Sequence, residues 1–580
     1  MRNRKLKTTL LSTVALLAVA AISIGHPVIA GQDKTDKADK NAAVDPNTLE
    51  TKYPIKHLVV VFNENRSFDH YFGTYPNALN PEGEPVFEPA KNTSRDINNL
   101  LSSPALLTNN PNLNAANGAG ATNPFRLDRT QANTSDQNHG YTSEQKAYDG
   151  GKMDLFPSTV GKGTSGSAGA FGTTGQVMGY YDGNTVTAFW NYAQNYAMSD
   201  NAWGDQFGPS TPGALNMFAG TTNGFTLPVV PPGTPTTEPG LGQALLAAGA
   251  GVPNSDGSLT LTGDIDPAGD ACSSPAVQVQ MTARNIGDLL NGANVPWGSF
   301  VGGFNLETIN NNGTTGCKRS SAKQVGGNAT DYVPHHIWFQ YYASTSNPTH
   351  ARPTSTKAIG FTTVPGTRKI DPANHAYDLN DFFTAVGSGN YPAVSFIKMA
   401  SFQDGHPGNS NPLDEQTGLV NLVNFLQEQP DWDSTAVIVA YDDSDGWYDH
   451  ASAAITSGSF SPADMLNGTG NCGIPGSTPM PKGLSGQPVA GRCGPGTRQP
   501  FVVISPYAKK NYVSHVLITQ ASIPQFIEDN WLNSERLGGG SFDATTGSIM
   551  DMFNFNKKNS VKLILDPTFG TVDTKDKSKN

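Results

Sequence analysis

One stretch decides the fold: His57-Leu58-Val59-Val60-Val61-Phe62-Asn63-Glu64-Asn65-Arg66-Ser67-Phe68-Asp69-His70-Tyr71-Phe72-Gly73. The apolar run from Leu58 to Phe62 predicts a strand that is buried on both faces, as in a parallel sheet. Glu64, Asn65 and Arg66 follow at its carboxyl end. Ligands of open α/β sheets bind outside the carboxyl ends of strands, so this edge is a candidate reaction centre. A solvated turn after a core strand is the alternative interpretation.

The composition indicates a large chain with many loops. Its 580 residues include 62 Gly and 41 Pro, and only 15% are charged, against roughly 25% in typical soluble domains. The formal net charge of −11 argues against a nucleic-acid partner, because binding to phosphate backbones uses clustered Lys and Arg. Phosphate remains possible as a substrate, since one local cationic or metal site is enough to bind it.

The first residues have the pattern of a secretory signal. Positive residues at the start, an apolar run over 10–24 and the small-residue site Val28-Ile29-Ala30 predict a signal peptide over residues 1–30. No second apolar run follows, so we expect an exported protein, periplasmic or secreted, without stable membrane insertion. Residues 31–50 are a predicted flexible leader, and residues 561–580 are a predicted C-terminal tail.

Export makes disulfide bonds the natural state of the four cysteines. Three connectivities are possible. We expect Cys272 to pair with Cys317 and Cys472 with Cys493, because these pairings close the shortest loops and lie in Gly-, Asn- and Ser-rich segments. A zinc site is a poorer interpretation, because no two cysteines have Cys-x-x-Cys spacing.

Buried strands alternate with helices in the last third of the chain, which predicts an α/β fold. The predicted strands are 393–399, 436–441 and 501–505, and the predicted helices are 415–429 and 522–531. Polar residues follow the first two of these strands, including His406 and the pair Asp442-Asp443. Residues 76–135 and 225–330 are loop-rich and are predicted to contain insertions, the second with a small hairpin near 258–262.

A helix is predicted to start within Phe207-Gly208-Pro209-Ser210-Thr211-Pro212-Gly213, because Gly-Pro turns the chain and Pro212 suits a first helical turn. Free amides at such an end can bind phosphate. Taken alone, Ser210 is most simply an N-cap. Further along, His335 and His336 follow Pro334. Neighbouring residues on a strand point to opposite faces, so both imidazoles can serve one site only on a turn.

These polar residues supply complementary chemistry. Glu64, Asn65, Asp442 and Asp443 are hard oxygen donors that suit Mg²⁺, Ca²⁺ or Mn²⁺, although carboxylates also bind Zn²⁺. A cation would relieve the repulsion between the adjacent aspartates and activate the Ser210 hydroxyl as a nucleophile. Four histidines can contact phosphoryl oxygens or protonate a leaving group, although a lone surface histidine is usually only solvated. They are His139, His335, His336 and His406. The set predicts phosphoryl transfer.

Several motifs together resemble the bacterial phosphoesterase family of secreted acid phosphatases and phospholipases C, in the alkaline phosphatase-like superfamily. They are the segments 61–73, 136–139 with 150–154, 207–216, 404–407 and 441–450. The resemblance implies one catalytic domain over residues 51–560. It also implies a three-layer α/β/α sandwich with a mostly parallel central sheet and long loop insertions.

Carried over residue by residue, the resemblance implies one divalent metal ion, Ca²⁺, Mg²⁺, Mn²⁺ or Zn²⁺. Its ligands would be Glu64, Asn65, Ser210, Asp442 and Asp443, and Ser210 would be transiently phosphorylated. The four histidines, His139, His335, His336 and His406, would contact phosphate, and one of them would protonate the leaving group.

The branch of the family follows from the nucleophile motif. The chain has Gly-Pro-Ser-Thr-Pro where phospholipases C of the family have Gly-Pro-Thr-Asp-Pro, it carries the His335-His336 pair, and it ends soon after the core. We therefore expect an exported acid phosphatase that acts on small phosphate monoesters, with Trp447 narrowing the pocket. The alternative is a phospholipase C-type phosphodiesterase, and a non-catalytic phosphate-binding protein is the third hypothesis. No oligomeric state is indicated.

Overall fold

The structure is a computed structural model that describes residues 43–230 and 240–573. The signal peptide predicted over 1–30 and most of the predicted leader lie outside the described residues. Within the two described ranges, no helix has both the length and the apolar character needed to cross a membrane.

Strands and helices alternate along the described part of the chain. The strands are β1 His57–Asn63, β2 Phe125–Leu127, β3 Gly179–Tyr181, β4 Ala197–Ser199, β5 Ala202–Trp203, β6 Phe225–Val229, β7 Gly251–Pro253, β8 Leu259–Leu261, β9 Gln278–Met281, β10 Trp297–Val301, β11 Ser320–Ala322, β12 Asn328–Thr330, β13 Ala376–Asp378, β14 Val394–Lys398, β15 Thr435–Tyr441, β16 Phe501–Ile504, β17 Tyr512–Ser514 and β18 Ile518–Thr519. The helices are α1 Phe68–Phe72, α2 Pro104–Thr108, α3 Tyr141–Tyr148, α4 Phe156–Thr159, α5 Thr187–Asn195, α6 Ser210–Ala219, α7 Gly240–Ala247, α8 Ile286–Gly292, α9 Leu379–Gly387, α10 Pro412–Gln427 and α11 Ser522–Trp531.

An eight-stranded sheet forms the centre of the molecule, in the order β13-β10-β14-β1-β15-β16-β4-β17. Neighbouring strands are parallel except on the two sides of β16, which runs opposite to the rest. Strand β1 lies between β14 and β15, and all seven of its residues are buried. The predicted strand at residues 58–62 and the mostly parallel sheet are confirmed.

Helices cover both faces of this sheet. Phe396 of β14 pairs in register with Ser299 of β10, so Phe300, the next residue of β10, points to the opposite face. Phe218 of α6 contacts Phe396, with ring centroids 5.6 Å apart. Phe382 of α9 contacts Phe300 at 5.1 Å. The three-layer α/β/α arrangement is therefore confirmed, and it explains why β1 carries apolar residues without alternation.

The loop-rich segments are only partly insertions. Residues 76–135 contain α2, β2 and short turns, and residues 225–330 contain the predicted hairpin as β7 and β8. The second segment also includes β10, which belongs to the central sheet. Strands of the central sheet therefore lie before, within and after the second loop-rich segment, all inside the predicted domain of residues 51–560.

The end of the chain packs against the core as far as the structure describes it. Leu563 and Leu565 are buried. The Leu563 amide donates to Gln427 Oε1 of α10 at 2.7 Å, and the Leu565 amide donates to Asn424 Oδ1 at 3.2 Å. Residues 561–573 therefore do not form the tail that was predicted to begin at residue 561, because these hydrogen bonds and apolar contacts attach them to α10. Residues 574–580 lie outside the described ranges.

The two predicted disulfide bonds are present. Cys272 pairs with Cys317, with Cα atoms 5.3 Å apart, and Cys472 pairs with Cys493, with Cα atoms 5.9 Å apart. Both lie in loops outside the central sheet, as expected from the composition of those segments.

Candidate active site

The ends of two neighbouring strands bring together the residues predicted to hold a metal. Strands β1 and β15 are parallel and in register, with Asn63 opposite Tyr441, so Glu64 and Asn65 emerge beside Asp442 and Asp443. The Asn65 backbone amide donates to Asp442 Oδ1 at 3.1 Å. Two pairs almost 380 residues apart in sequence thus form one edge of the sheet.

Ser210 points its hydroxyl at this edge. It is the first residue of α6, and its Oγ lies 3.0 Å from Glu64 Oε2 and 3.2 Å from Asp443 Oδ2. The N-cap position of α6 is Pro209, and no side chain caps this end. The interpretation of Ser210 as an N-cap is therefore wrong, because its hydroxyl is engaged by two buried carboxylates.

Gly213 allows α6 to approach the strand end closely. A Cβ atom at this position would lie 2.1 Å from the carbonyl oxygen of Asp442, a distance that only glycine permits. The close contact holds the first turn of α6, and with it Ser210, against the end of β15.

The carboxylate oxygens around Asn65 indicate that a cation suits this edge. Asn65 has a left-handed backbone, with φ of 58°, and its Oδ1 faces two acceptors, Glu64 Oε2 at 2.7 Å and Asp442 Oδ1 at 3.1 Å. Asp442 Oδ2 is buried without a hydrogen-bond partner. With the amide nitrogen turned toward these oxygens, both contacts become hydrogen bonds, and a cation would bind the remaining carboxylate oxygens, including Asp442 Oδ2. The donor set therefore fits one divalent cation.

The electrostatics of the edge lead to the same conclusion. Burial raises the pKa of Asp442 to about 7, with the negative charge of Glu64 adding to the effect. Burial and the neighbouring Asp442 raise the pKa of Asp443 well above its usual range. Carboxylates crowded in this way repel one another, and a divalent cation is the group that would stabilise their ionised forms.

Lys398 is a buried cation that sequence reasoning missed. It ends β14, its Nζ contacts Glu64 Oε1, and it lies 3.9 Å from Asp404 Oδ2. Its position after an otherwise apolar buried strand was the available signal, because a lysine in such a place is rarely buried unless it is paired. Lys398 occupies one oxygen of Glu64, and the other oxygen faces Ser210 and Asn65.

The four predicted histidines surround the same edge. His336 Nδ1 lies 3.0 Å from Glu64 Oε1, and the rings of His336 and His406 stack with centroids 5.6 Å apart. His139 and His406 meet edge to face at 5.9 Å. Residues 334–336 form a short 3₁₀ turn, as Pro334 predicted, so His335 and His336 both border the site. Glu64, His336 and His406 also offer ligand atoms within 4.8 Å of one another.

Their surroundings divide the histidines into two pairs. Burial lowers the pKa of His406 to about 4 and lowers that of His336 well below its usual value. Burial acts in the same direction on His139, but Asp443 and Asp445 outweigh it and raise its pKa well above normal. Asp266, 3.4 Å from His335 Nδ1, likewise raises the pKa of His335 against the effect of burial. Of the four histidines, His139 and His335 therefore have the surroundings that favour a protonated ring.

Further acidic residues support the site and were not predicted. Asp445 lies 3.1 Å from His139, and Asp404 Oδ2 lies 3.7 Å from His336. Glu144 accepts from the Gly208 amide at 2.9 Å and from Ser444 Oγ at 3.0 Å, so it joins the turn before Ser210 to the loop after β15. Sequence alone could not connect Glu144, which lies on α3, to this edge.

Arg66 and Trp447 make contacts that hold residues beside the site. Arg66 Nη2 donates to the carbonyl of Gly405, which holds the loop that carries His406. Trp447 is buried and stacks on His70 with ring centroids 3.9 Å apart. The expectation that Trp447 narrows the pocket is therefore wrong, because its ring packs inside the protein.

Comparisons with known proteins agree with this chemistry. The model of the phosphoesterase family matches residues 55–532. Phospholipase C A of Mycobacterium tuberculosis is 24% identical over 473 residues, which are 78% of this chain and 68% of that protein. Non-hemolytic phospholipase C of Pseudomonas aeruginosa is 22% identical over 509 residues, 87% of this chain and 58% of that protein. These relatives are named as phospholipases C, whereas the sequence motifs favoured an acid phosphatase.

Comparison with solved structures gives only low similarity scores. A protein in the alkaline phosphatase superfamily from Vibrio parahaemolyticus is 9% identical, with 73% of this chain and 74% of that chain covered and a TM-score of 0.24. So low a score adds nothing to the architecture described above. The family model, in contrast, covers most of the sequence and includes all nine predicted site residues. This chain belongs to the phosphoesterase family and is a hydrolase that acts on phosphate esters.

Proposed function

We propose that Ser210 is the nucleophile of this hydrolase and that Glu64, Asn65, Asp442 and Asp443 hold one divalent cation together with it. The observation that supports this most is the Ser210 hydroxyl within hydrogen-bond distance of Glu64 and Asp443. When bound, the cation would supply positive charge that lowers the pKa of the serine hydroxyl and offsets the charge on the phosphoryl oxygens.

The side chains present account for each proton. Ser210 Oγ passes its proton to a neighbouring carboxylate and forms a bond to phosphorus, while the bond from phosphorus to the alcohol oxygen breaks. His139 or His335 gives a proton to that oxygen, because both have raised pKa values. His336 and His406, which are neutral, donate N–H groups to phosphoryl oxygens. Water then attacks the phosphoserine and gives its proton to the histidine that protonated the alcohol, while the carboxylate returns its proton to Ser210 Oγ as the bond from Oγ to phosphorus breaks and the phosphoryl product leaves.

For the substrate class, we propose a phosphodiester cleaved in the manner of a phospholipase C. The named relatives support this over the acid phosphatase expected from sequence. A phosphomonoesterase is the second candidate, favoured by serine in Gly-Pro-Ser-Thr-Pro and by the His335-His336 pair at the site. The test compares p-nitrophenyl phosphorylcholine with p-nitrophenyl phosphate. Faster turnover of the choline ester is expected, and turnover of the monoester alone would reverse the proposal.

The nucleophile is tested in the same assay with Ser210→Ala. We expect this variant to lose at least about a hundredfold in kcat and to form no phosphoserine in acid-quenched samples. The matched control is Ser103→Ala, because Ser103 is likewise a serine at the start of a helix that makes no capping hydrogen bond, and it lies in another part of the molecule. Full activity in Ser210→Ala would contradict the covalent mechanism.

The cation is tested by removal and return. We expect a chelator to abolish activity and a single type of divalent ion to restore it, with one equivalent bound in a titration that is lost in Asp442→Asn. Full activity in protein shown by elemental analysis to contain no metal would refute the assignment.

We also propose export to the periplasm or the medium. The signal pattern, the two disulfide bonds and the phospholipase C relatives support it. Protein sequencing of exported material should begin after Ala30, and an intact Met1 on all of the protein would contradict export by this signal.

A further inference from the structure

An apolar cavity lies beside the candidate active site. Its volume is about 360 Å³, within the roughly 300–1,000 Å³ of typical small-molecule sites. One helical face lines it, because residues three and four apart lie on the same side of a helix. Its main apolar lining residues are Leu241, Ala244 and Leu245 of α7, Ala248 just after α7, Ile265 and Val277. We call this space the side cavity.

Two aspartates of the side cavity contact residues of the candidate active site. Asp264 and Asp266 form part of its wall. Asp264 Oδ1 accepts from the amide of Thr211, the residue after the proposed nucleophile, at 2.9 Å. Asp266 Oδ1 lies 3.4 Å from His335 Nδ1. A group in the cavity would therefore lie next to the start of α6 and to one of the two proposed proton donors.

The charges of the wall exclude an anionic occupant. The residues that line the side cavity include two carboxylates and no Lys, Arg or His. Desolvation by its neighbours acts to raise the pKa of Asp264, but the positive charges of His335 and His139 outweigh it and lower this pKa, which favours the ionised carboxylate. Phosphoryl oxygens would be repelled here, whereas the hydroxyls, amides and histidines around Ser210 suit them. An apolar group without negative charge suits the cavity.

We propose that the side cavity binds the apolar part of the alcohol that is esterified to the substrate phosphate. This inference rests on the proposed function, because it takes the phosphoryl group to sit at Ser210. It adds a substrate class: phosphate esters whose alcohol carries an alkyl chain or ring are preferred over esters of small or anionic alcohols.

The experiment uses alkylphosphonates, which have phosphoryl oxygens but no ester bond to cleave. Calorimetry on the cation-loaded full chain compares methyl-, butyl- and hexylphosphonate. We expect Kd to fall by about fourfold for each added methylene until the cavity is filled. A butyl chain that ends in a carboxylate should bind more weakly than the plain butyl chain, because it faces Asp264 and Asp266.

Variants test whether the gain in affinity with chain length comes from the side cavity. Ala244→Phe and Ala248→Phe place a ring in the side cavity and should remove the dependence on chain length while leaving Kd for methylphosphonate unchanged. Ala248 is exposed, so this second variant keeps the test valid if Ala244→Phe fails to fold. The control is Ala247→Phe, on the same helix but outside the lining, which should keep the gain.

The results separate a failure of the cavity assignment from a failure of the proposed function. The same dependence on chain length in Ala248→Phe and in wild type would overturn the cavity assignment and leave the proposed function intact. Binding of methylphosphonate that is equal in all proteins and shows no gain with chain length would do the same. Failure of every phosphonate to bind would count against the phosphate site at Ser210 itself, and the inference would fall with it.

Discussion

The contacts of individual atoms at the edge explain how an uncharged hydroxyl can become a nucleophile. Ser210 Oγ has two carboxylate oxygens as acceptors, and the buried Asp442 Oδ2 nearby has no hydrogen-bond partner. A buried group with so many oxygen acceptors and so few hydrogen-bond donors is stable only if cations balance its negative charge. Lys398 is one such cation within the described residues, and the proposed divalent ion is the other.

Lys398 allows this charge balance to be tested. Lys398→Met keeps the length of the side chain and removes its charge. In chelated protein we expect it to lower the free energy of unfolding by about 3 kcal/mol, because it leaves buried Glu64 and Asp404 without their partner. In protein saturated with the divalent ion the loss should be smaller. Urea unfolding under both conditions measures the difference.

The control for Lys398→Met is Lys152→Met, because Lys152 forms an exposed ion pair with Asp149 on the surface. Its unfolding curve should match wild type, since such pairs contribute little. If Lys398→Met loses the same free energy of unfolding with and without the ion, then the lysine and the divalent cation do not both neutralise Glu64.

At the scale of secondary structure, the site depends on how closely α6 approaches β15. Both strand ends are rigid because they are central in the sheet, so the position of α6 decides whether Ser210 reaches Glu64. Glycine at 213 sets that position, since its missing Cβ leaves room for the carbonyl of Asp442.

Gly213→Ala tests this contact. In most helices Gly→Ala is stabilising by up to about 1 kcal/mol, but here the added methyl group would lie 2.1 Å from Asp442 O. We therefore expect lower stability and a fall in kcat of about a hundredfold, because displacing the nucleophile by roughly 1 Å is costly. Thermal unfolding and initial rates measure the two effects.

Gly387→Ala provides the comparison for Gly213→Ala. Gly387 is the last residue of α9, and no atom lies within 4 Å of a Cβ built there. It should leave kcat unchanged and keep or raise stability. A Gly213→Ala enzyme with wild-type kcat would show that α6 adjusts without moving Ser210.

At the scale of the whole molecule, the two disulfide bonds differ in exposure. Cys472 and Cys493 are fully buried, whereas Cys317 is exposed. The Cys493 carbonyl also accepts from the amide of Phe207, three residues before Ser210, at 3.0 Å. The Cys472–Cys493 bond is thus connected to the turn before Ser210. The Cys272–Cys317 bond lies in the insertion that forms the side cavity.

We expect mild reductant to open Cys272–Cys317 first in the native protein, with activity on a small ester retained. Cys472–Cys493 should be reduced only on unfolding. Replacing Cys472 and Cys493 together by serine should cost about 3 kcal/mol of stability, the loop-closure value for a loop of this size. Differential alkylation with mass mapping measures the order of reduction. Loss of the buried bond before the exposed one would contradict the prediction.

The sequence by itself determined the buried strands of this protein and the polar residues that follow them. Uninterrupted apolar runs such as Leu58–Phe62 predict buried parallel strands, and polar residues directly after them predict a site at the carboxyl edge, because both patterns are local. The nine predicted site residues, Glu64, Asn65, His139, Ser210, His335, His336, His406, Asp442 and Asp443, all meet at that edge in the structure. Their roles remain proposals.

Only the tertiary structure decided which charges face one another. Lys398, Glu144 and Asp266 were not assigned from sequence because their partners lie on other elements, and pKa values depend on burial and on distances of a few ångströms. For the same reason the histidines could be ranked only once His139 was seen beside Asp445 and His335 beside Asp266. The side cavity likewise forms because α7 and Asp264 line the same space, an arrangement that no spacing in the chain reveals.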